Sequence, residues 1–145
     1  MKAYPPASDP HLSHYPLPFY DTPVSAGQSR FPSPAQDYEI AELDLNQLLI
    51  TNPPATFLTR VTGDSMTGVG IYPGSILVVN RALKPRSSSI VVVLLDGELM
   101  VKRLYKHAGV VKLLSENPAY APIALCEGQE LLIWGVVTYV ITSTL

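Results

Sequence analysis

Ser65 stands in Gly63-Asp64-Ser65-Met66, directly ahead of Thr67-Gly68-Val69-Gly70. A serine attacks a carbonyl when its hydroxyl is exposed and backbone N–H groups lie near enough to hold the oxyanion that forms. Gly63 lets a second backbone come close, and a turn after the serine keeps N–H groups out of a sheet ladder. The serine also needs a base. Lys102 lies in Leu99-Met100-Val101-Lys102-Arg103-Leu104. Along a strand Met100, Lys102 and Leu104 share one face, and Leu99, Val101 and Arg103 share the other. Apolar neighbours desolvate an ammonium and lower its pKa, which is how a lysine becomes a usable base. Each signal has a plainer reading when taken alone: a serine in an ordinary glycine-rich loop, and a lysine snorkelling beside Arg103 at a wet sheet rim.

Other chemistry-bearing residues are more weakly placed. His11 and His14 have an H-x-x-H spacing but lie in a proline-rich stretch with no third ligand, so no metal and no cofactor is expected. His107 is a second candidate base for Ser65, yet it falls past the end of a strand, in a loop. Trp134, in LLIWGVV, reads as core, and Cys126, in ALCEGQ, has no catalytic context.

These residues need a scaffold, and the chain supplies it in two parts. Prolines, 14 in all, crowd the stretch from Pro5 to Pro34. Each removes a backbone donor and biases its predecessor to extended geometry, so a packed helix or central strand is not expected there. Residues 1–43 read as an extended, largely irregular arm, a form that also serves as a passive linker. Residues 44–145 read as a mainly β body. Asp44 is a candidate N-cap for a short helix in DLNQLLI, with Leu45, Leu48 and Leu49 on one face, and Asn52-Pro53-Pro54 ends it. Strands are predicted at Thr56–Thr62, Ile76–Asn80, Ile90–Leu95, Leu99–Tyr105, Val110–Leu114 and Leu131–Thr142. Asp96-Gly97 marks a hairpin between two of them. The predicted body is a curled, partly closed sheet arrangement.

Composition narrows the function. With 47% apolar and 15% charged residues among 145, the chain has material for a core. A formal net charge of -2 counts against binding nucleic acid by charge. One cysteine permits no internal disulfide. No apolar run reaches the roughly 18 residues of a membrane span, and the first residues lack a signal-peptide core. A soluble, cytoplasmic protein is expected, with no membrane contact.

The motifs GDSM, ILVVN, DGELMVKRL, ENPAYAPI and IWGVVTYV, in this order and spacing, resemble the UmuD branch of the LexA/UmuD family of Ser/Lys self-cleaving proteins (peptidase S24 type). In the arm, LPFYDTPVSAG, FPSPAQDYEIAELDLNQLLI and NPPAT resemble the same branch. The likeness covers nearly the whole chain from Leu17 onward. It implies a LexA/UmuD-like curved β domain that forms homodimers. It implies that Ser65 is the nucleophile of a serine endopeptidase acting on itself, that Lys102 is the general base, and that the N–H groups of Ser65 and Asp64 form the oxyanion hole. The implied scissile bond is Ala26-Gly27, whose cleavage removes residues 1–26. The implied stimulus is a RecA filament on single-stranded DNA. The trimmed dimer then joins a UmuC-type Y-family polymerase for error-prone translesion synthesis in the SOS response.

Three features depart from the family pattern. Gln28-Ser29-Arg30 stand between the small-Gly pair and FPSPA. Ser75, Asn80 and Ser89 stand where aspartate is usual. Residues 1–16 match nothing in the family. The insertion keeps a second reading open: a non-cleaving interaction module of the same fold that regulates a DNA polymerase or a repressor. A LexA-like repressor needs a helix-turn-helix domain that the arm cannot supply. A signal peptidase needs a membrane anchor or membrane-facing surface, and none is visible.

Overall fold

A computed structural model describes residues 13–20, 23–27 and 40–145. The chain divides into two compact units, Met1–Thr51 and Asn52–Leu145. The short helix therefore groups with the first unit. His11 and the Gln28-Ser29-Arg30 insertion lie outside the described residues.

The first unit holds a two-stranded antiparallel ladder, β1 (Pro16–Tyr20) with β2 (Ile40–Asp44), followed by α1 (Leu45–Leu49). The prolines argue against a packed helix or a central strand here, and β1 is neither, being one strand of a two-stranded ladder. Its prolines explain how it survives. Pro16 and Pro18 lie two apart, so their missing donors fall on the same strand edge, which a two-stranded ladder leaves open. Asp44 caps α1 as expected, its Oδ1 accepting from the Asn46 N–H at 2.9 Å. Its Oδ2 accepts from the Tyr15 N–H at 2.9 Å and pairs with His14 Nδ1 at 2.8 Å. Burial alone would raise the pKa of this carboxyl; the N–H groups of Tyr15 and Asn46, then His14 and the Gln47 N–H, instead hold it below the usual range. The α1 leucine face is not buried: Leu45 and Leu48 are exposed. Ala26 and Gly27 form an exposed bend rather than an extended segment. In it the Ser25 hydroxyl accepts from the Gly27 N–H at 3.2 Å and donates to the Gly27 carbonyl at 3.0 Å.

The second unit is a seven-stranded antiparallel sheet among the described residues. Its strands are β3 (Thr56–Arg60), β4 (Ile76–Asn80), β5 (Ile90–Leu95), β6 (Glu98–His107), β7 (Val110–Leu114), β8 (Ile123–Ala124) and β9 (Leu131–Ile141), in the spatial order β3-β4-β9-β5-β6-β7-β8. The fold is mainly β, as the sequence predicts. Asp96-Gly97 turns the β5–β6 hairpin with both residues at positive φ (48° and 84°), the geometry that Asp-Gly favours. Ala108-Gly109 repeats it between β6 and β7 (48° and 78°), with an alanine in the strained first place. His107 is the last residue of β6, not part of a loop.

The long strand β9 joins the two halves of the sheet and is bulged twice. Its register slips against β4 at Val78/Val79 and against β5 at Val92/Val93. Such bulges bend the strand and add twist. At the first, the Thr138 hydroxyl donates to the Val78 carbonyl at 3.3 Å. Both sheet faces are covered. Val61, Met66, Ile71, Leu77, Val79 and Val92 make one core, with Trp134 and Phe57 edge-to-face at its side. Val91, Val93, Leu95, Leu104 and Leu113 make the other. Alternation along β5 divides Val92 from Val91 and Val93, which is why Ile90–Leu95 is an unbroken apolar run. Burying five such side chains contributes on the order of 10 kcal/mol against exposing them. Ser75, Asn80 and Ser89 each cap a turn with a neutral oxygen. They accept from the N–H groups of Tyr72, Ala82 and Arg86 at 3.1, 2.9 and 3.0 Å. No helix among the described residues is long and apolar enough to cross a membrane.

Candidate active site

Lys102 lies mid-strand in β6, opposite Val91 of β5, and only 8% of it is exposed. Met100 and Leu104, on its own face, pack with the Val91 core, as the alternation predicts. Burial pushes its amine below the ordinary lysine pKa, with Glu98 pulling weakly the other way. Arg103 points to the opposite face, forms an ion pair with Glu116 and donates to the Ser88 carbonyl at 2.7 Å. The rim that Arg103 suggested is therefore on the other side of the strand from the amine.

Ser65 is carried by the loop between β3 and β4. Gly63, at φ 81°, turns the chain into it. Met66, 1% exposed, sinks into the first core and anchors the loop from below. A 3-10 turn at Thr67–Val69 follows, with the Val69 N–H on the Met66 carbonyl at 3.2 Å. The segment after β7 clamps this loop from the side. The Glu116 N–H donates to the Ser65 carbonyl at 2.9 Å, and the Gly68 N–H donates to the Glu116 carbonyl at 2.7 Å. Glycine is required at 68, since a Cβ there would lie 2.5 Å from the Glu116 oxygen. Asn117 Nδ2 donates to the Asp64 carbonyl at 2.9 Å, and the Tyr120 hydroxyl donates to the Asp64 carboxylate. That bond raises the Tyr120 pKa, keeping the phenol protonated.

The two candidates meet. Lys102 Nζ lies 3.0 Å from Ser65 Oγ, within direct proton-transfer reach, although 37 residues separate them. Lys102 Nζ also lies 2.8 Å from Ser115 Oγ and 5.5 Å from the centre of the Tyr120 ring. His107 is exposed at the far end of β6 with its ring against Tyr105, and His14 belongs to the Asp44 cap. A buried, depressed amine beside a loop-borne serine hydroxyl is an arrangement for nucleophilic attack.

A family model described as Peptidase S24-like matches residues 18–138. The chain belongs to this family. Among relatives of this S24 chain, Protein SamA of Salmonella typhimurium is 46% identical over 114 residues, 79% of this chain and 79% of its own length. Protein ImpA of Escherichia coli is 43% identical over 123 residues, 81% and 79% of the two chains. Protein MucA of Escherichia coli is 39% identical over 131 residues, 85% and 82%. These matches support the UmuD-type branch of the LexA/UmuD family. Four residues around the Ser65–Lys102 pair were given no role in the sequence reading: Ser115, Glu116, Asn117 and Tyr120. All lie in SENPAY, just past the end of β7. The signal was the β6–β7 register, which no single strand pattern contains.

Proposed function

We propose that the chain is a serine endopeptidase that cuts its own arm at Ala26-Gly27, with Ser65 as nucleophile and Lys102 as general base. The observation that carries this reading is the 3.0 Å approach of a buried, depressed amine to the Ser65 hydroxyl. Neutral Lys102 takes the hydroxyl proton as Ser65 Oγ attacks the Ala26 carbonyl carbon. The N–H groups of Ser65 and Asp64 hold the oxyanion. The Lys102 ammonium then gives its proton to the Gly27 nitrogen as the C–N bond breaks. This leaves Ala26 as an ester on Ser65. Water, deprotonated by Lys102, hydrolyses the ester and returns the serine.

The UmuD-type relationship extends the reading. A RecA filament on single-stranded DNA stimulates the cut in the cytoplasm during the SOS response. The trimmed protein, as a homodimer, serves a UmuC-type Y-family polymerase in error-prone translesion synthesis. The test is to incubate the purified full chain at alkaline pH, and separately with activated RecA filament, and to weigh the products. Fragments 1–26 and 27–145 are expected. A chain that stays intact in both sinks the peptidase reading and leaves the interaction module. A large fragment with a different first residue moves the scissile bond.

A further inference from the structure

The Lys102 amine touches two hydroxyls, and only one of them can be the nucleophile. We propose that Ser115 is a positioning residue that aims the Lys102 lone pair at Ser65; this rests on the peptidase reading above. Its placement is fixed by the sheet. Arg103 pairs with Leu114, so the next step of that register sets Ser115 opposite Lys102. Alternation from buried Leu113 turns Ser115 to the Lys102 face. The next residue, Glu116, is bonded through its own N–H to the Ser65 carbonyl. Two consecutive residues thus hold the base by its side chain and the nucleophile by its backbone.

The chemistry explains why a second hydroxyl belongs there. A neutral amine has two N–H bonds and one lone pair. The lone pair must face the Ser65 proton for transfer to occur. Rotation about Cε–Nζ offers three staggered positions, and only one presents the lone pair to Ser65. An acceptor at 2.8 Å, the Ser115 oxygen, ties down one N–H and selects that position. After transfer, the same oxygen accepts from the ammonium and favours the charged form. The Tyr120 ring covers the remaining side at 5.5 Å. Ser115 itself touches no part of the scissile bond in this scheme.

The test compares self-processing rates of Ser115→Ala, Ser115→Val and Ser115→Thr full-length protein across pH. Ser115→Ala and Ser115→Val should slow processing about tenfold. Roughly threefold comes from the lost choice of rotor position and the remainder from looser placement of the amine. Their pH profiles should move to lower pH, because the ammonium loses an acceptor. Ser115→Thr should recover the rate to within about threefold, since it keeps the hydroxyl at the volume of valine. In a Ser65→Ala background, which cannot process, NMR titration of the Lys102 amine should show the same downward movement for Ser115→Ala. Wild-type rates and an unmoved profile in Ser115→Ala overturn the proposal while leaving Ser65 and Lys102 in their roles. So does equal loss in Ser115→Thr and Ser115→Val with the Lys102 titration unmoved, which marks packing alone. A wild-type chain that never processes overturns the peptidase reading, and this proposal with it.

Discussion

At the scale of single residues, the proposed mechanism turns on one proton passed between the Ser65 oxygen and the Lys102 nitrogen, 3.0 Å apart. Lys102→Arg should abolish self-processing, because a guanidinium stays protonated and cannot receive the serine proton. Ser65→Ala should do the same with the melting temperature nearly unchanged, while Ser89→Ala should still process; gel and mass analysis of the three variants checks this. The pH dependence follows from burial of Lys102. Its amine titrates below the ordinary lysine value of about 10.4, so the neutral, active form grows as pH rises and saturates before that value. The processing rate should therefore climb from neutral pH and level off on the alkaline side. A plateau already complete near pH 7 would point to a histidine. Ser65 and Lys102 were marked out by the resemblance of GDSM and DGELMVKRL to the LexA/UmuD pattern, since the glycine-rich turn and the alternating strand alone left plainer readings open. Ser115 was not, because its meaning comes from the strand beside it.

At the scale of elements, two glycines separate what shapes the site from what holds the sheet. Gly68 faces the Glu116 carbonyl, and an added Cβ would stand 2.5 Å from that oxygen. Gly68→Ala should displace the serine loop and cut processing at least tenfold, with a stability cost of its own because the obstructing atom is backbone. Gly135 lies in β9, where an added Cβ would meet Val79 Cγ1 at 2.7 Å and the Asn80 carbonyl oxygen at 3.1 Å. Gly135→Ala should instead cost about 1–3 kcal/mol of global stability by overpacking, measured by denaturant unfolding. Three strands of the body, Ile76–Asn80, Ile90–Leu95 and Val110–Leu114, form as read, three others differ by one to three residues in their bounds, and the two-residue β8 was not read. Nor was the strand Pro16–Tyr20. Prolines argue against a central strand, but they permit an edge when spaced by two.

For the whole molecule, the arm has a structured root as well as irregular parts. Asp44 ties Tyr15, His14 and the start of α1 together, and its carboxylate is the charged form that these contacts need. Because its folded pKa is depressed, its contribution is present above about pH 4, the unfolded value, and is lost as pH falls through the folded value. The protection factors of the Leu17 and Phe19 amides, relative to those of the body, should therefore fall in acid, and Asp44→Ala should show that fall already at neutral pH. Unchanged protection in the variant would remove Asp44 from the root. The ladder also lies astride the proposed cut, with β1 on one side of Ala26-Gly27 and β2 on the other. While the chain is whole, the two strands are tethered and meet at an effective concentration on the order of millimolar. Once the bond is gone, they are separate molecules, and their pairing depends on how dilute they are. A two-stranded ladder by itself is marginal in water, so cleavage at the proposed bond should let the shorter piece separate as the protein is diluted. The backbone break then works as a ratchet: the chemistry cuts a tether, and dilution makes the strand exchange one-way.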